Sequence, residues 1–135
     1  MAIDRQMFSD KLQRYMTQLQ VSVDEIAKDT GISLDRLRTM SECTSDPTGD
    51  EVLILADYFR CDYKFFISNE ALAPFEQTES LFRKHGGELT REDRWAIQEF
   101  LFLCECQEFL LSQLRAGPRR SFSFRKSGNY FKGHG

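Results

Sequence analysis

Histidine, proline and tryptophan are scarce in this 135-residue chain, at two, three and one, and its four cysteines include no C-x-x-C pair. Cys43, Cys61, Cys104 and Cys106, with His85 and His134, therefore lack the spacing of a zinc site, and the thiols read as reduced and structural. Cys104 and Cys106 sit two apart on a helix and point in different directions, which suits neither a shared metal nor a mutual disulfide. No metal and no other cofactor is expected. No window approaches the roughly eighteen uncharged apolar residues of a membrane span, and no basic-then-apolar leader opens the chain, so a cytoplasmic protein away from membranes is expected. No nucleophile, base or metal constellation stands out, so no catalytic residue is assigned and no enzyme is expected. With 41% apolar and 29% charged residues the chain is neither collagen-like nor low-complexity, and a packed core is feasible.

Charge is unevenly spread. Residues 1–70 carry 13 acids against 8 bases, residues 71–112 carry 8 against 4, and residues 113–135 carry 6 bases and no acid. Only the tail is basic, and a local basic footprint is the usual mark of a nucleic-acid binder.

Hydrophobic spacing predicts helices throughout the first half. Phe8, Leu12, Tyr15, Met16 and Leu19 share one face of a helix over 4–19. Ser22 caps a second helix, with Asp24 and Glu25 at its positive end, and Gly31 supplies the left-handed residue that closes it after Thr30. Ser33 caps a third helix over 33–42, with Leu37 and Met40 inward, at a sharp angle to the second. Residues 44–49 are loop chemistry. A fourth helix follows with Val52, Leu53, Leu55, Ala56 and Phe59 largely buried, and a short fifth turn carries Phe65 and Phe66.

Ile26-Ala27, Gly31-Ile32-Ser33, Leu37, Met40, Pro47 and the run 55–59 together resemble the Cro/repressor-type helix-turn-helix family, also called the xenobiotic-response-element family. The resemblance covers nearly all of residues 5–67. It implies an all-α fold with a five-helix DNA-binding domain at 1–70.

Residues 71–117 read as a helical hairpin or a dimerisation helix. A short helix over 75–84 ends at His85-Gly86-Gly87, where His85 serves the turn. Thr90 then caps a long helix reaching about residue 115, with Asp93 at the capping-box distance. That helix is apolar around most of its circumference, and Gln98, Glu105 and Ser112 mark a narrow polar strip. A lone small domain cannot cover so much apolar surface. Burying half a dozen such side chains against a partner would contribute on the order of 10 kcal/mol before ordering costs. Trp95, Phe100, Phe102, Leu103, Phe109 and Leu110 are the expected interface, with a second copy as partner or another protein bound through residues 90–115. Residues 118–135 form a basic aromatic tail, in which Arg119, Arg120, Arg125, Lys126 and Lys132 alternate with Phe122, Phe124, Tyr130 and Phe131. Such rings could stack on bases or, more commonly, pack on a partner.

Residues 94–106 and 126–135 also resemble the stretch preceding the peptidase in larger bacterial proteins that join a repressor-like domain to an ImmA/IrrE-type zinc peptidase. The helical His-Glu-x-x-His of that peptidase is absent. The chain therefore resembles the regulatory front end, either as a natural short form or as part of a longer protein.

The repressor resemblance implies a sequence-specific, dimeric regulator of transcription that inserts its third helix into the major groove of double-stranded DNA. By position, Leu34, Asp35, Arg38 and Thr39 would face base edges and Arg36 the phosphates. Arg38 could bond a guanine in two places or a phosphate. Three features depart from the family pattern. Val23 stands where many relatives have a phosphate-bracing glutamine, the third helix carries the acidic Asp35, and residues 1–70 carry a net charge of −5. An acidic domain weakens non-specific phosphate attraction. The alternative is a protein-interaction module for an ImmA/IrrE-type peptidase or a toxin, binding DNA weakly or not at all.

Overall fold

The computed structural model describes residues 2–70 and 87–114, and every regular element among them is an α-helix. They are α1 (Arg5–Leu19), α2 (Val23–Thr30), α3 (Leu34–Ser41), α4 (Gly49–Phe59), α5 (Lys64–Ile67) and α6 (Arg91–Gln113). The helix expected over 75–84, the tail at 118–135, His85 and His134 lie outside the described residues. No helix among those described is long and apolar enough to cross a membrane.

Each long helix begins on a side-chain acceptor. Asp4 accepts from the Met7 amide at 3.0 Å. Ser22 and Glu25, Thr48 and Glu51, and Thr90 and Asp93 form complete capping boxes, each satisfying two amides that the helix leaves unpaired. The aspartate in the last box is long enough, since the Thr90 amide reaches its carboxylate at 2.9 Å. Gly31 closes α2 at φ +77°, whereas Gln20 and Arg60 close α1 and α4 in the same left-handed region without being glycine.

The core follows the sequence spacing closely. Phe8, Leu12, Tyr15 and Leu19 of α1 meet Ile26, Leu37, Met40, Val52, Leu55 and Phe59, all buried. Tyr15 stacks on Phe59 at 4.9 Å between ring centroids and stands edge-on to Phe65 at 5.1 Å. Such aromatic packing adds roughly 0.5–1.5 kcal/mol per pair beyond area burial. Lys11 is buried too. Its ammonium lies 4.8 Å from the centre of the Phe65 ring and donates to the carbonyls of Phe65 and Ser68, where α5 ends. The expectation of burial fails at Leu53, which is 54% exposed. Val52, Leu55, Ala56 and Phe59 define the inward face of α4, and Leu53 lies about 100° around the helix from Val52.

The largest departure from expectation is the orientation of α6. Gln98, read as part of a polar strip on an apolar helix, is fully buried. Its side-chain amide donates to the Phe59 and Arg60 carbonyls, each at 3.1 Å, and lies 3.3 Å from the Tyr15 hydroxyl. It thereby caps the C-terminus of α4, whose last carbonyls have no partner within the helix. Arg94 does the same at the end of α1, donating to the Gln18 carbonyl at 3.1 Å, where positive charge also complements the helix dipole. Arg91 pairs with Glu25 of α2 at 2.6 Å. Trp95 lies parallel to Phe59 at 6.5 Å and edge-on to Tyr58 at 5.5 Å. The first two turns of α6 are thus part of the same packed unit as α1–α5.

All four cysteines are free. Burial pushes the Cys61 thiol up to about 12, with the nearby Asp62 and Glu105 carboxylates adding to it, so this sulfur stays protonated and unreactive at neutral pH.

Candidate nucleic-acid interface

The α2 and α3 helices meet through a short turn that is held at several points. The Gly31 amide donates to the Ala27 carbonyl at 3.0 Å. The Thr30 hydroxyl donates to the Ile26 carbonyl at 2.6 Å and accepts from the Ile32 amide at 3.3 Å. Ile26 and Ile32 are buried on either side, and Ser33 opens α3 by accepting from the Arg36 amide at 3.3 Å. Such a turn presents α3 as a rigid element, which precise recognition requires.

Leu37 and Met40 turn into the core, so helical geometry sends residues 35, 38 and 42 outward. Asp35 and Arg38 are exposed, and Leu34 and Thr39 half-buried. No described residue engages the side chain of Asp35 or of Arg38, so a one-turn patch of opposite charges is open to a ligand. Arg38 is the only base on this outer face.

Arg36, expected to face the phosphates, is engaged within the protein. Its guanidinium grips Glu51 at both oxygens, at 2.6 and 2.9 Å, and donates to the Asp46 carbonyl at 2.5 Å. A bidentate pair of this kind is directional as well as charged, and here it ties α3 to the start of α4. Arg36 holds the Glu51 carboxyl below the usual carboxylate range, and the Thr48 amide adds to this. Arg5 likewise grips Asp46 with two nitrogens, one contact at 2.8 Å, and holds its carboxyl low. Thr39 is also engaged. Its hydroxyl donates to the Arg36 carbonyl and accepts from Ser45, both at 2.9 Å, so it organises the loop after α3 as much as it faces outward. Neither Arg36 nor Thr39 was legible as a bracing residue, because the groups they hold lie in the following loop and helix.

Val23 packs against the core and offers no donor to a phosphate. Between residues 22 and 42 there are five acids and three bases. With Arg36 committed to Glu51, Lys28 and Arg38 remain as exposed bases.

A second surface lies on α6. Of the six side chains predicted at an interface, Trp95 turns to the protein's own core and Phe102 is half-buried beside α4. Phe100, Leu103, Phe109 and Leu110 are all 58% or more exposed. Phe102, Phe109 and Leu110 line one side of an open groove of about 610 Å³, with Leu53, Cys61 and Tyr63 opposite.

Comparison of the chain with protein-family models, with curated proteins and with solved structures finds no match.

Proposed function

We propose that this protein is a sequence-specific DNA-binding regulator of transcription of the Cro/repressor helix-turn-helix type, acting in the cytoplasm as a dimer. The observation that carries this is the rigid α2–α3 turn with Asp35 and Arg38 exposed and unengaged on the outer face of α3. In the major groove Arg38 would make two hydrogen bonds to a guanine, while Leu34 offers an apolar contact to a thymine methyl. Arg36 would act indirectly by fixing the angle of α3 against α4.

The scarcity of exposed bases around α3 among the described residues sets the style of binding by this region. Each neutralised phosphate contributes about −0.9 to the slope of log affinity against log salt. With Lys28 and Arg38 as the exposed bases of this region, the slope should be shallow and base contacts should carry a large share of the affinity. Selection from a random duplex pool tests the proposal. It should enrich two half-sites about one DNA turn apart, bound well above scrambled duplex at moderate salt. Equal affinity for the selected and scrambled duplexes would overturn it.

Two observations favour a second reading. The exposed apolar side chains of α6 and the acidic surroundings of α3 suit a protein-interaction module, whose partner would be an ImmA/IrrE-type peptidase or a toxin. A stoichiometric protein partner that co-purifies, together with no DNA binding at low salt, would favour this reading over the first.

A further inference from the structure

The outward face of α6 carries a regular pattern. Ala96, Phe100, Leu103, Gln107, Leu110 and Leu114 follow one another at spacings of four, three, four, three and four, and all six are exposed. At about 100° per residue they fall roughly 120–200° around the helix from Gln98, directly opposite the docked face. Alternating three- and four-residue spacing is the signature of a seam between two helices.

The stripe is also its own complement when reversed. Its members lie two, five and nine residues on either side of position 105: Leu103 and Gln107, Phe100 and Leu110, Ala96 and Leu114. We propose that α6 pairs antiparallel with α6 of a second copy, about a two-fold axis level with Glu105. Ala96 then meets the partner's Leu114, Phe100 the partner's Leu110, and Leu103 the partner's Gln107.

A parallel pairing would stack each residue on itself. That leaves a thin layer at Ala96, a crowded one at Phe100 and two amides face to face at Gln107. The antiparallel pairing sets a small side chain beside a large one and lets the Gln107 amide reach the rim. It also runs the two helix dipoles in opposite directions, which is favourable, and sends the acidic first turns with Glu92 and Asp93 to opposite ends. Phe100, Leu103, Leu110 and Leu114 are 58–76% exposed in the single copy. With their symmetry mates they would bury on the order of 1,000 Å², the lower bound of a specific interface. The pairing deepens the dimeric part of the function proposed above. It requires no DNA, so either can fail while the other stands.

The test uses the full chain with Cys43, Cys104 and Cys106 replaced by serine, carrying either Ala96→Cys or Leu114→Cys, and a short bis-maleimide. The two variants mixed should give a covalent heterodimer, and neither alone should crosslink. Self-crosslinking of the Ala96→Cys protein as fast as the mixture would overturn the antiparallel arrangement. An independent measurement is sedimentation of Leu103→Glu in the otherwise natural chain. It should raise the dimer dissociation constant at least roughly hundredfold while leaving the melting curve of the dilute protein and the Trp95 emission unchanged. A natural chain that is monomeric at tens of micromolar would overturn the pairing and assign the stripe to a different protein.

Discussion

The α1–α5 unit and the second half of α6 treat the same kinds of side chain in opposite ways. In α1–α5 the phenylalanines and most leucines lie inside, as at Phe8, Phe59 and Phe66, Leu53 apart, and charged groups other than Lys11 keep contact with solvent. Along α6 the buried residue is Gln98, and the leucines from Leu103 onward face solvent. The contrast follows from what each surface has to satisfy. The interior of α1–α5 is closed by apolar contact, but where α1 and α4 end it offers bare carbonyls. Only donors such as Arg94 and Gln98 can answer those. The apolar residues of α6 are then displaced to the far side, where they stay exposed among the described residues.

That contrast can be broken at its two ends. Phe59→Ala should cost roughly 3–5 kcal/mol of stability in urea or thermal unfolding, because Phe59 contacts both Tyr15 and Trp95. A loss under 1 kcal/mol would mean that the aromatic cluster is not the centre of the unit. Gln98→Ala should act more narrowly. It leaves the Phe59 and Arg60 carbonyls short of a donor in a buried place, at a cost of about 1–3 kcal/mol. Trp95 is the only tryptophan, so its fluorescence reports the docking of α6 without a label, and its emission should shift to the red in this variant. An unchanged spectrum and stability would show that Arg91, Arg94 and Trp95 dock α6 without Gln98.

Acid should separate the two regions with the smallest effect. Glu25 is held below its ordinary range by the Ser22 amide and by Arg91, Asp93 by Thr90, and Glu51 by Arg36 and the Thr48 amide. Because their folded values lie below the unfolded ones, their contribution is complete at neutral pH. It is lost as pH falls from about 4 through the depressed values. Stability should therefore be level between pH 6 and 8 and decline below about 4. Trp95 emission should move before the helical signal does, since Glu25–Arg91 joins α6 to α2.

Much of α1–α4 could be read from the sequence because its signals are local. Ser22 and Glu25, Gly31 and Ser33 each act within a few residues of where they stand, and the inward faces, Leu53 apart, follow from spacing. Leu53 and α6 were harder for one physical reason. A helix that is apolar nearly all round has no unique inward face, and its orientation is chosen by the groups it meets. Here those are the carbonyls of Gln18, Phe59 and Arg60, which are distant in sequence from Arg94 and Gln98. At the candidate interface, the outward placement of Asp35 and Arg38 was legible from Leu37 and Met40. The bracing role of Arg36 was not, because Glu51 lies fifteen residues away.

The most direct test of the DNA-binding account compares Arg38→Ala with the natural protein on the selected duplex and on a scrambled one, with thermal unfolding measured in parallel. Arg38→Ala should lose roughly 1–3 kcal/mol on the selected duplex, little on the scrambled one, and little in melting temperature, since its exposed side chain makes no hydrogen bond or ion pair with a described residue. Equal affinity of the two proteins for the selected duplex would contradict the assignment of α3 as the reader.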